Sequence, residues 1–220
     1  MRLSVFFCLL FHFVSYGQVD ITFQPTWNKQ TFELGDTLQM TNSESIRFET
    51  YRIYVSDVAF YFDSTMIYTD PAKAHLLDLE HDSTLHISFP DLPANSYNAI
   101  LFRFGIDSIT NVSGAMPGDL DPMYGMYWSW QSGYINCKLE GQIIGTKTTG
   151  FQFHLGGYLP PFDASSKIRI PSDSTGTISL ELSAVFSQVQ AEQNGLNIMS
   201  PCSQAVGLSN LLAHSFYFSK

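Results

Sequence analysis

Positive charge is what this chain has least of. Its 220 residues carry 11 Lys and Arg against 20 Asp and Glu, a formal net charge of −9. A nucleic-acid-binding face needs a basic patch to neutralise phosphates, so that class of partner is excluded. Charged residues amount to only 14% of the chain, yet 45% hydrophobic and 15% aromatic residues are too many for a disordered polymer. Cysteine is scarce too, with Cys8, Cys137 and Cys202 and no C-x-x-C pair. The G-x-S-x-G elbow, the phosphate-binding glycine loop and H-E-x-x-H are all missing. No pair of carboxylates is set apart by its spacing, and Cys137 lies inside an alternating strand pattern, so a non-enzymatic protein is expected.

What is present begins with an address. Arg2 precedes the apolar run Leu3 to Val14, and Ser15 and Gly17 supply small residues for cleavage before Gln18. Residues 1–17 therefore read as a secretory signal peptide, and 18–220 as one exported domain, periplasmic or secreted. The run is shorter than the roughly 20 apolar residues of a membrane span, and no comparable stretch follows. Cys8 sits in the middle of the run instead of at its end, which argues against a lipid-anchored N-terminus. After export, Cys137 and Cys202 have three readings: a disulfide, two buried thiols, or a soft metal ligand.

Short β-branched and aromatic runs, separated by Gly, Pro and Asp turns, recur along the rest of the chain. They include Val19–Phe23, Ile46–Phe62 with a bend at Ser56-Asp57, Met66–Tyr68, His75–Leu79, Leu85–Phe89 and Tyr97–Phe104. Tyr134–Leu139, Phe151–Leu155, Lys167–Ile170 and Thr177–Phe186 continue the series, and Ser203–Leu212 has the spacing of one helix before a last strand at Phe216–Phe218. This pattern predicts an all-β, single β-sandwich, Greek-key-like, with long loops and one short C-terminal helix.

One segment stands out, GDLDPMYGMYWSWQSGYINCKLEG at 118–141, with Trp128 and Trp130 beside Met123 and Met126. Asp121-Pro122 and Gly125 predict turns that carry the indoles into a strand. The indoles either fill a core or face outward as a platform for sugar or protein. Among the histidines, His81 and His86 read as surface residues, and His214 as a partner of a helix C-terminus. His75 and His154 lie in apolar strand contexts, where a buried imidazole needs a hydrogen-bond partner or a metal.

Phe104-Gly105-Ile106-Asp107 with Asn111, the 118–141 block, Phe153-His154-Leu155-Gly156-Gly157, Tyr51–Ser56 and His75–Asp78 together resemble the MbnP-like family. These are exported proteins often encoded with diheme cytochrome c peroxidase-like partners. The resemblance implies copper binding through histidines and an oxidised tryptophan, kynurenine, produced by the diheme partner. It points to His154, which matches the family's F-H-L-G motif, and to Trp128 and Trp130, which match its M-[FY]-W-x-W-Q segment. One departure matters: methanotroph-type members carry a histidine after the asparagine of the first loop, where this chain has Asn111-Val112. His75, Met116, Met123 or Met126 is the candidate replacement, with Asp107, Gln131 and Asn136 to orient imidazoles. Asp107, Asp119 and Asp121 offer an alternative oxygen site for calcium.

Overall fold

The computed structural model describes residues 18–93, 95–131, 133–172, 176–191 and 196–219. The expected signal peptide lies outside them. Strands dominate: β1 (Val19–Trp27), β2 (Gln30–Thr31), β3 (Leu38–Gln39), β4 (Ser45–Phe62), β5 (Thr65–Thr69), β6 (Ala74–Asp78), β7 (His86–Phe89) and β8 (Ala99–Phe104) come first. The short helix α1 (Ser108–Val112) and the hairpin strand β9 (Tyr127–Trp128) follow, then β10 (Gly133–Ile144), β11 (Thr148–Gly156), β12 (Ser166–Pro171) and β13 (Thr177–Glu181). Helix α2 (Ser183–Ala191), β14 (Asn197–Ile198), helix α3 (Ser203–Ala213) and β15 (Phe216–Phe218) close the chain.

The organising strand is β4. Its register shows why: Ser45–Ile53 pairs with β10 along one edge, and Val55–Tyr61 pairs with β8 along that same edge. The opposite edge takes β3, β6 and β5 in turn. The strand runs unbroken through Ser56 and Asp57. The bend expected there is a bulge, with Asp57 at φ 51 and a register shift against β8.

β1, β2, β7, β13 and β15 form a second, smaller sheet in which β1 runs parallel to β13. The two sheets bury a core between them. At one end Trp27 and Leu180 meet Phe48, Leu139, Phe151 and Phe153 from β4, β10 and β11. At the other, Ile21, Phe23 and Ile178 meet Val55, Phe60, Ile100 and Phe102. The all-β expectation holds, with α3 where the C-terminal helix was predicted. α1 and α2 are additional, and α2 occupies the second half of the stretch read as strand through Phe186.

A third apolar cluster lies on the outer face of the larger sheet. Tyr54 and Leu76 point there, because Ile53, Val55 and Leu77 on the same strands face the main core. The segment from Ile106 to Trp128 folds over them, burying Ile106, Leu120, Met126 and Trp128. The long loops are thus a cover on one sheet face.

Candidate functional site

Alternation along β11 sends Phe151, Phe153 and Leu155 into the core and leaves Gln152 and His154 on the outer face. His154 lies directly opposite Lys138 of β10, with Glu140 at the diagonal position. Its Nε2 is 2.7 Å from Glu140 Oε1, and Glu140 Oε2 accepts the Thr50 hydroxyl at 3.1 Å. The His154 side chain is 9% exposed. Burial lowers its pKa, and the neighbouring Lys138 charge does the same against the opposing bond from Glu140. For Glu140, burial pulls upward, but the bonds from His154 and Thr50 and the Lys138 charge together leave it below the ordinary glutamate value. At neutral pH the pair is therefore a neutral imidazole and a carboxylate. A carboxylate only accepts, so Nε2 carries the proton and the lone pair sits on Nδ1.

The bend that carries the indoles is built by local capping. Asp121 Oδ1 accepts the Met123 N–H at 2.9 Å, Pro122 opens a single turn, and Gly125 closes it at φ 68. β9 then pairs with the start of β10, Trp128 opposite Gly133 and Tyr127 opposite Tyr134. This lays the Trp128 indole on Gly156, where a Cβ would stand 2.6 Å from Cζ3. Gly156 is two residues from His154 on the same face, so the FHLGG strand and the aromatic bend meet. Trp130 is 65% exposed, with its ring centroid 5.7 Å from that of Trp128 and the planes 44° apart. Beside them a groove of about 260 Å³ is lined by Trp128, Gln131, Gly133, Tyr158, Phe162 and Pro201.

The other predicted residues take different places. His75 pairs with Val55 on β4, on the core side of the sheet, and its Nε2 bonds Asp70. Its strand is three away from that of His154, about 14 Å of sheet, so the two imidazoles cannot share one metal. Met126 is fully buried in the outer-face cluster, Met116 packs against that cluster, and Met123 is exposed.

Asp107 caps α1 through the N–H groups of Ile109 and Thr110 and the Thr110 hydroxyl. Asn111 Oδ1 accepts the Tyr134 N–H, and its amide donates to the Ile106 and Asp107 carbonyls, so Asn111 brackets α1 to β10, while Val112 after it is exposed. Asn136 fills the junction where β8 and β10 meet along β4. Its Oδ1 accepts the Ile106 N–H, while Nδ2 is buried without a partner. Neither Asp107 nor Asn136 orients an imidazole, and Gln131 lines the groove.

Asp119 and Asp121 are likewise engaged by backbone N–H groups, those of Leu76 and Met123, so Asp107, Asp119 and Asp121 form no shared oxygen site. Among the described residues the one group of three metal-type side chains is Asp78, Glu80 and His81, with ligand atoms within 4.8 Å of one another. Arg52 already bridges it, 2.7 Å from Asp78 and 3.3 Å from Glu80. His86 bonds Thr22, and His214 caps α3 as expected, its Nδ1 on Asn210 O at 2.7 Å. Cys137 and Cys202 are free thiols, so the disulfide reading is not realised. Glu140 and Lys138 are the site residues that sequence reasoning missed. The alternation of β10 marks them as outward-facing, but only the register against β11 brings them to His154.

The fold and this face define a two-sheet β protein with a carboxylate-held imidazole beside a tryptophan-bearing cover. The chain belongs to the MbnP family, whose sequence profile matches residues 16–200. It is similar in fold to MbnP from Methylosinus trichosporium, at TM-score 0.54 and 14% identity over 78% of each chain. A search of curated proteins finds no match.

Proposed function

We propose that this is an exported copper-binding protein in which His154 is a metal ligand through Nδ1. The observation that carries the reading is the His154–Glu140 pair. Metal-ligating histidines characteristically donate their second ring N–H to a carboxylate, which fixes the tautomer and raises ligand basicity. A neutral, partly desolvated imidazole suits copper in either oxidation state. Family membership supplies the copper connection. When bound, copper supplies a one-electron redox centre. The chain's own contribution is to hold His154 neutral and oriented, and to wall the site with Trp128.

The second ligand comes from the aromatic bend, with Trp128 as the residue converted to kynurenine. A diheme peroxidase-like partner would open the indole C2–C3 bond, with two peroxides reduced to water and the formyl carbon released as formate. A ketone and an aryl amine remain where the indole stood. The sugar- or protein-platform reading fits less well, because Trp128 is buried and the two indole planes are inclined to each other.

Metal analysis after copper loading tests the proposal, comparing the parent protein with His154→Ala and His75→Ala. Copper should be lost with the first substitution and kept with the second. Stoichiometric copper in His154→Ala would overturn it.

A further inference from the structure

The two indoles differ sharply in access. Trp130 is 65% exposed and Trp128 is 7% exposed, so a bulky oxidant reaches the first and not the second. Their centroids are nevertheless 5.7 Å apart, a direct ring contact. We propose that Trp130 is the port through which one-electron oxidising equivalents reach Trp128. The inference deepens the proposed function by naming how a partner acts on a tryptophan it cannot touch, and it rests on that reading for its purpose.

The step balances as two electron transfers. An external oxidant takes one electron from the Trp130 indole and is itself reduced by one. Trp128 then gives an electron to the Trp130 radical cation, which restores Trp130 and leaves the hole on Trp128. No proton needs to move between the rings, since an indole radical cation forms with its N–H intact and releases that proton later to water.

The two buried phenols behind Trp128 do not draw the hole onward, for a chemical reason. Tyr134 and Tyr54 share the Trp128 cluster and stack edge to face at 5.8 Å. Oxidising a phenol, however, requires its proton to leave. The Tyr54 hydroxyl donates to Asp119 O at 2.8 Å, and the Tyr134 hydroxyl faces the carbonyls of Gly114 and Leu120. Peptide carbonyls are too weakly basic to take that proton. Burial pushes both phenol pKa values up, which holds the protons more firmly.

The experiment uses metal-free protein beginning at Gln18. Photogenerated ruthenium(III) tris(bipyridine) is the surface oxidant, pentaamminecobalt(III) chloride the sacrificial acceptor, and dissolved oxygen the trap for the resting radical. Peptide mass spectrometry then locates the added oxygen. Trp128 should be labelled in the parent, and its labelling should fall severalfold in Trp130→Phe, whose exposed position leaves folding intact. Trp27, buried in the separate core with its indole N–H on Gln39 O, should stay unlabelled in both. Unchanged Trp128 labelling in Trp130→Phe, labelling confined to Trp130 in the parent, or equal labelling of Trp27 would each overturn the proposal. Copper plays no part in the readout, so a failure of copper binding at His154 leaves the result standing.

Discussion

The contact between the FHLGG strand and the aromatic bend depends on a missing side chain. At Gly156 a Cβ would lie 2.6 Å from Trp128 Cζ3 and 2.7 Å from Tyr134 O. The second of these is backbone in a paired strand and cannot step aside. Gly156→Ala should therefore destabilise the protein by about 1–3 kcal/mol, the usual cost of overpacking, and shift tryptophan emission as Trp128 is lifted off the sheet. Urea titration with fluorescence detection checks both effects, and an unchanged midpoint with unchanged emission would remove Gly156 from this role. Residue chemistry was partly legible in the sequence. The meeting of the His154 strand with the Trp128 bend was expected from the two motifs, and the His214 cap from its place after a helix. The Glu140 contact was not, because two residues 14 positions apart meet only through strand register. His75 looked equivalent to His154 from its apolar neighbours, and only the pleat shows that it faces the other way.

Among the elements, α2 shows how one side chain decides a boundary. Glu181, the last residue of β13, accepts the Ser183 N–H at 2.9 Å and its hydroxyl at 2.6 Å, which starts the helix. The same carboxylate takes the N–H groups of Asn28 and Lys29, the two positive-φ residues of the β1–β2 turn. Burial alone would raise its pKa, but these bonds outweigh burial and leave it below the ordinary value of 4.5. A carboxylate with a depressed folded pKa stabilises fully above its unfolded value, and that stability disappears as pH falls through the folded one. Thermal melts should thus show a Glu181-dependent loss below about pH 4.5. Glu181→Gln should cost about 1–3 kcal/mol at neutral pH and flatten the acid limb. An acid limb identical in the two proteins would contradict the assignment. Sequence periodicity carried the strand pattern past Glu181 because Leu182, Val185 and Phe186 are apolar. A glutamate serving two turns at once leaves no local signal.

Across the whole molecule, the longer strands and the C-terminal helix followed from turn spacing and β-former density, while the two-residue strands β2, β3, β9 and β14 left no such signal. The division of β4 between β10 and β8 did not follow either, since nothing local reveals which edges pair. The state of the thiols belongs to this scale as well. Cys137 is fully buried between the sheets, and burial raises its pKa well above the ordinary thiol value. Cys202 is partly exposed at the start of α3, accepting the Ala205 N–H. A thiol reagent should label Cys202 alone in the native protein from Gln18 onward, and Cys137 only after unfolding. No reactive thiol in either state would mean a disulfide and a different packing of α3 on the core.

The central claim is that one carboxylate-held imidazole on the outer sheet face binds the metal. Pulsed electron paramagnetic resonance of the Cu(II)-loaded protein tests it most directly, through modulation from the remote imidazole nitrogen. The account predicts that modulation in the parent and in His75→Gln, and its disappearance in His154→Gln. An unaltered imidazole pattern in His154→Gln would contradict it.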